Sequence, residues 1–415
     1  MVIARPTYGG WIFLLLTCAA GGVAFMNVGL MTALCASIRA GIWLSAFLMA
    51  QFSFLFVRLE RISAADVPCN ATAILPLQVT NTSFFYRNTL VIREQIGFSL
   101  KKEFLSTVPP LAPGESCVIN RKLRTERRGH YHLDKVTVIT GDPCGFFSRS
   151  KSFHLPGEIT VTPRIEFLEH LPVSTTHRRS DGGEGRLLGF AGIGGDFFGI
   201  RPYRPGDEVQ HIYWRGSAAR NRLMVKEFEA SVTEKIHIIL DTAAGSVGQD
   251  EVDNNFEHLV SIAGSISETL SRRYCRLSFQ TFFEDHTPLY FAGDAAGLRN
   301  RIIEALTELR PCPGADAGEM LCDTIEHIRP GETLFLLTMS VTGLLKELTD
   351  ELRESGVLVN WICAPAPNFP PIEPDILREI PADARKNPAD EGIFFIDFNT
   401  SLAELLYWDD HLEKI

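Results

Sequence analysis

Hydrophobic positions along the chain fall into three regimes. From Trp11 to Val57 they run almost without interruption, and Arg39 is the one formal charge among them. A bilayer crossing takes about 20 such residues, so residues 11–57 are expected to form two transmembrane helices joined by a short turn. The run is too long for the apolar core of a signal peptide. The turn falls between Asn27 and Gly41. A turn at Asn27-Val28-Gly29 leaves Arg39 inside the second helix, and the cost of a charge at mid-bilayer favours a turn nearer Arg39. The opposing reading, a soluble buried helical pair, is the weaker one for so unbroken a run.

From residue 64 to 165 the pattern changes to short alternating runs: Ile74–Thr80, Thr89–Ile92, Ser116–Ile119, Val136–Thr140 and Thr160–Pro163. Turn-rich pieces such as Pro109-Pro110 and Ala112-Pro113-Gly114 separate them, which predicts an antiparallel, sandwich-like domain. Arg121 to Lys135 is locally basic, and reads as a solvated strand face sooner than as a lipid-facing one. Residues 166–200 form a glycine-rich connector. It is no dinucleotide or phosphate loop, because neither G-x-G-x-x-G nor G-x-x-x-x-G-K-[ST] occurs in it.

The third regime, residues 233–415, alternates strands with helices. Strands are expected at Ile236–Leu240, Arg276–Phe282, Thr333–Thr338, Val357–Cys363 and Ile393–Phe398. Helices are expected at Phe256–Arg272, Ala296–Leu309, Gly318–Ile328, Val341–Ser355 and Ser401–Tyr407. Such alternation predicts a doubly wound α/β domain with a parallel sheet covered on both faces. Ligands of these sheets bind beyond the strand C-termini, which directs attention to Asp241 and to the end of the strand at Thr338.

Composition narrows the classes. A net charge of −10 over 415 residues argues against general nucleic-acid binding, which needs a cationic footprint. Nine cysteines lie scattered with no C-x-x-C pair, the usage of reduced thiols rather than a disulfide framework. Arg5 precedes the apolar run and Arg58 and Arg61 follow it, so both ends are expected on the cytosolic side.

Between connector and α/β domain lies a signature segment, residues 201–232. Arg201, Tyr203, Arg204, Pro205-Gly206-Asp207, Ile212, Trp214, Ala218, Arg220, Lys226 and Glu227 interleave guanidinium groups, aromatic rings and a turn. This density reads as a fixed polar network or a binding surface, against the plainer alternative of a solvated basic loop. Trp214 is expected to be buried, and Asp207 to pair with Arg201, Arg204 or Arg220.

The pattern resembles the bacterial domain-of-unknown-function family 58, whose "RxYxxGDxxRxIxW…AR" signature runs into a domain like von Willebrand factor A. Gln210 departs from it, standing where the family usually carries Arg. The resemblance implies a multi-domain, membrane-anchored protein of the bacterial inner membrane. It also implies a divalent-metal motif Asp-x-Ser-x-Ser. Here that stretch is Asp241-Thr242-Ala243-Ala244-Gly245, so both serine hydroxyls are gone and a degenerate site, without metal, is expected at Asp241 and Thr242. His130 and His132 alternate on one strand face, but no third ligand accompanies them.

No nucleophile elbow, H-E-x-x-H or phosphate loop is present, and no cofactor is implied. The reading is a scaffold or adaptor held in membrane lipid by its N-terminal hairpin. The resemblance implies a MoxR-type AAA ATPase as its partner. The competing reading is a membrane-proximal hydrolase working through Asp207, Arg201 and Trp214, with the objection that arginines depress a carboxylate's pKa.

Overall fold

The computed structural model describes residues 4–27, 30–101, 103–168, 171–173, 197–203, 212–220, 222–228, 234–369 and 392–400. The chain divides into two compact units, residues 1–165 with 303–309, and residues 166–302 with 310–415.

The first unit opens with β1 (Arg5–Pro6) and two helices, α1 (Tyr8–Asn27) and α2 (Leu30–Gln51). Both helices are long and apolar enough to cross a membrane, and few of their side chains are buried, unlike those of a soluble core helix. The connection lies at the early end of the expected window, so a turn nearer Arg39 is corrected. Arg39 sits in the middle of α2 with its guanidinium 5.2 Å from the centre of the Phe13 ring. The electron-rich ring face offsets part of the cost that made a later turn attractive. The helical run also stops short of Val57. Phe54 turns into the β core, and Val57 begins β2 (Val57–Arg61).

The strands that follow are β3 (Val67–Pro68), β4 (Thr72–Asn81), β5 (Leu90–Gln95), β6 (Glu103–Val108), β7 (Ser116–Arg124), β8 (Gly129–His132), β9 (Lys135–Gly141), β10 (Phe147–His154) and β11 (Glu158–Thr162). Among the described residues they pair in the orders β1-β10-β9-β5-β6, β2-β4-β7 and β3-β11-β8. Inward residues of the first two sheets meet in one core: Leu77 and Val79 of β4 against Leu90, Ile92, Val136 and Val138. β9 and β10 join through a tight turn in which Asp142 accepts from the amides of Cys144 (2.9 Å) and Phe147 (2.6 Å).

Lys122, Arg124 and Lys135 are exposed, as a solvated basic face requires, but Arg121 departs from it. Its side chain is wholly buried and pairs with Glu94, which also takes Arg61 at 2.5 Å. Arg121 Nε donates to the Leu75 carbonyl at 3.1 Å. Arg61 of β2 and Arg121 of β7 reach Glu94 of β5 in the facing sheet, and the buried charges are tolerated because they pair there.

The second unit begins with β12 (Phe197–Pro202), α3 (Trp214–Arg220) and β13 (Met224–Phe228). It continues with β14 (Glu234–Leu240), α4 (Asn255–Leu270), β15 (Cys275–Phe282), β16 (Pro288–Asp294), α5 (Ala295–Glu308, of which residues 303–308 count with the first unit), α6 (Ala317–Ile325), β17 (Thr333–Thr338), α7 (Gly343–Glu354), β18 (Leu358–Cys363) and β19 (Ile393–Phe395). The sheet order is β16-β15-β14-β17-β18-β19, parallel except for β16. This is the doubly wound arrangement, with the first strand central and the winding reversing between β14 and β17. β17 is buried along its whole length, as a strand covered on both faces must be. The antiparallel edge strand β16 is absent from the sequence expectation, and the final helix expected at Ser401–Tyr407 lies outside the described residues.

Candidate functional site

The signature segment is built on an antiparallel ribbon. β12 and β13 pair Ile200 with Lys226, Arg201 with Val225 and Pro202 with Met224, and Gly199 lies opposite Glu227. The Tyr203 amide extends the ribbon by donating to Leu223 at 2.9 Å, and Ile212 bridges to Val225. Helix α3 is tied down by one buried hydroxyl. Ser217 Oγ donates to the Tyr213 carbonyl at 2.9 Å and accepts from the Met224 amide at 2.8 Å. Gly216 lies beneath the Tyr213 ring, so close that a β-carbon there would stand 2.2 Å from a ring carbon. Lys226 Nζ sits 5.4 Å from the centre of the same ring.

Burial divides the segment in two. Ile212, Ser217, Met224 and Val225 are buried, whereas Arg215, Ala218, Arg220, Arg222 and Lys226 are exposed. Trp214 corrects the sequence expectation, since it is 64% exposed. The small helix is already anchored by Ser217 and by the apolar trio of Ile212, Met224 and Val225, and its first residue projects away from them. Arg204, Pro205, Gly206 and Asp207 lie outside the described residues, and with them the expected ion pairs of Asp207. An exposed Trp214 does not supply the water-excluding wall that a hydrolase built on Asp207, Arg201 and Trp214 asks of it.

The second candidate is the C-terminal edge of the sheet at the winding reversal. Asp241 follows β14 and is buried. Its Oδ1 accepts from the Ala243 amide at 2.9 Å and its Oδ2 from the Met339 amide at 3.1 Å. Burial pushes this carboxyl above its ordinary value, the two amides oppose that shift, and the negative charge of Asp316 adds to it. Next to it the Thr242 hydroxyl is buried without a hydrogen-bond partner. Thr338 Oγ1 accepts from the indole of Trp361 at 2.8 Å, and burial lifts the Cys363 thiol to about 12. Asn255 closes the same edge, donating to the carbonyls of Ser246 and Ala364, both at 2.8 Å.

This donor set does not fit a divalent ion. Both oxygens of Asp241 are committed to amides, positions 243 and 245 carry no hydroxyl, and Thr242 adds one neutral oxygen where a hard cation asks for about six. Among the described residues no three His, Cys, Asp or Glu side chains converge as metal ligands. Asp241 is a latch between strands.

One polar chain escapes sequence reading. His237, in the middle of β14, has Nδ1 2.6 Å from Ser278 Oγ and Nε2 2.8 Å from Glu332 Oε2. Lys235 reaches Glu332 at 3.2 Å. The signal was a lone histidine within the apolar run Ile236–Leu240. Serine, histidine and glutamate are a hydrolase's residue types, but these sit on the body of the sheet, away from the strand C-termini where ligands bind. They tie β14 to β15 and to the entry of β17.

Comparison with known proteins bears on the same segment. Residues 199–353 match the family model described as "Protein of unknown function DUF58". The "Uncharacterized protein YeaD" of Bacillus subtilis (strain 168) is 28% identical over 151 residues, 36% of this chain and 35% of that protein. The chain thus spans about a third of the length of this curated relative. Among solved structures, a β-glucosidase from Listeria innocua aligns at TM-score 0.17 and 13% identity, over 25% of this chain and 16% of that one. The PapD-like domain 7 of human CEP192 aligns at TM-score 0.18 and 13% identity, over 26% of this chain and 86% of that one. Neither score carries an argument about fold or activity. The ribbon, α3 and the sheet through α7 lie within the span that matches the DUF58 family model, residues 199–353.

Proposed function

We propose that the protein is a membrane-anchored adaptor. The α1–α2 hairpin holds it in the bacterial inner membrane with its C-terminal domain in the cytosol. Its α/β domain, von Willebrand factor A-like and metal-independent, binds a protein partner through the signature segment. The observation that carries this reading is Trp214, 64% exposed on a short helix whose outward residues include Arg215, Ala218 and Arg220, with exposed Leu223 and Lys226 nearby. Tryptophan and arginine are the side chains that most often dominate protein–protein binding energy, and a large exposed indole is costly to leave in water. Exposed cations on a chain of net charge −10 favour a partner that presents acidic groups around an apolar pocket. The family resemblance makes a MoxR-type AAA ATPase the candidate.

The test is affinity capture of the full chain from native membranes, beside Trp214→Ala. Retention of an AAA ATPase by the wild type and its loss from the variant is the expected result. Equal retention by both chains would refute the patch.

A further inference from the structure

The first unit displays a set of aromatic side chains that no core uses. Phe84 is 93% exposed and its neighbours Phe85 and Tyr86 are each 75% exposed. Immediately after α2, Phe52, Leu55 and Phe56 are exposed as well. Large apolar groups displayed together on a surface mark an interaction site or a membrane contact.

The loop that carries them is held rigidly. Asn81 is fully buried, and its amide donates to the carbonyls of Phe85 (2.8 Å), Leu111 (3.1 Å) and Ala112 (3.0 Å). Its Oδ1 accepts from both the amide and the hydroxyl of Ser83. The loop is also bonded to the end of the hairpin. Arg87 donates to the carbonyls of Phe52 and Leu55, and Thr82 donates to the Phe56 carbonyl from its amide (2.8 Å) and its hydroxyl (2.7 Å). Phe56 itself is at φ 63°, a left-handed conformation that a bulky residue rarely adopts. The two aromatic groups are therefore presented as one surface beside the foot of α2.

The hairpin fixes how deep that surface lies. Phe147 packs edge-on against Trp43 (5.0 Å between ring centres) and Phe47 (5.4 Å), and Phe146 stacks on Phe13 at 4.4 Å. Thus the β unit already touches α2 at Trp43. The stretch Leu30–Ile42 beyond that contact reaches only roughly 20 Å at 1.5 Å per residue, against about 30 Å of hydrocarbon. For the hairpin to cross, its lower turns must enter the bilayer, and the end of the β unit bonded to them is carried to the headgroup region.

We infer that the Phe84-Phe85-Tyr86 loop, with Phe52, Leu55 and Phe56, is a membrane-interface anchor that lies in the same bilayer the hairpin enters. Aromatic rings at this depth match the belts by which membrane proteins fix their position relative to lipid. The inference rests on the hairpin reading of the proposed function, and its test separates the two.

A photoreactive p-benzoylphenylalanine is placed in the full chain at Phe85, at Phe25 of α1, or at Tyr274 of the α/β unit, all three exposed. Each chain is reconstituted in vesicles of phosphatidylethanolamine and phosphatidylglycerol, irradiated, and analysed for lipid adducts by mass spectrometry. The expected result is adducts from positions 25 and 85, with none from 274. Adducts at 25 without any at 85, or cross-links from 85 to a second copy of the chain, overturn the anchor while the hairpin reading stands. Equal labelling at 85 and 274 overturns it as well. No adduct at 25 overturns the hairpin reading, and the anchor falls with it.

Discussion

The Asp241 carboxylate accepts from the Met339 amide at 3.1 Å, across the seam where the winding of the sheet reverses. Its other oxygen takes the Ala243 amide, so Asp241 joins β14 to the end of β17. Removing it strands two amides, each costing about 1–3 kcal/mol when buried. Asp241→Ala should therefore destabilise the protein by about 2 kcal/mol or more, read as a lower denaturation midpoint. Millimolar Mg²⁺ should leave the wild-type midpoint unchanged. A bound ligand at a hundredfold excess over Kd would add about 2.7 kcal/mol, so a clear rise in the midpoint would contradict the latch.

Glu94 faces two guanidiniums at once, those of Arg61 and Arg121. Neutralising it leaves both uncompensated, so Glu94→Gln should cost about 3–5 kcal/mol. The double variant Glu94→Leu with Arg121→Met removes one of the two charged pairs and should recover only part of that loss, because Arg61 stays without its carboxylate. Urea denaturation of the full chain in detergent measures both.

Glu332 makes the α/β unit acid-sensitive. Burial alone would raise its pKa, but hydrogen bonds from His237, the Arg329 amide and Lys235 together hold it below the ordinary 4.5. A carboxyl depressed in the folded state contributes stability that is fully present above its unfolded value. That contribution is lost as pH falls through the lower folded value. Asp241, raised by burial, has the opposite sign, and its contribution declines as pH rises through its folded value. Stability measured from pH 6 down to pH 3 should fall, and Glu332→Gln should flatten that fall.

Much of the fold was legible because burial on both faces writes itself as an unbroken apolar run. β14 and β17 show it, and β17 spans Thr333–Thr338 as expected. β16 was not legible, because Pro288–Asp294 alternates exposed and half-buried positions on a sheet edge. β10 was missed for a similar reason, since its Ser-Arg-Ser-Lys centre is polar and open. The early turn of the hairpin was hidden by Arg39, whose accommodation depends on Phe13, distant in sequence and beside it only once the helices pair. At the candidate site, the residue types of the signature were readable but not which side of the ribbon they would face. An indole is usually buried, and only the anchoring of α3 through Ser217 shows why Trp214 is free to project.

That anchoring separates fold from binding. Ser217→Ala should strand the Met224 amide and destabilise the protein by about 1–3 kcal/mol. Trp214→Ala, on the exposed side, should change stability by no more than about 0.5 kcal/mol. Thermal denaturation of the two variants side by side distinguishes them.

The most direct measurement of the adaptor reading is a binding titration of the purified full chain against the MoxR-type ATPase of the same cell. Wild type is compared with Trp214→Ala and Arg220→Glu. Loss of a dominant contact is worth about 2 kcal/mol, so each variant should weaken Kd by roughly tenfold or more, with unchanged folding. Unaltered affinity in both variants, or no binding by the wild type, would contradict the claim that this surface recognises such a partner.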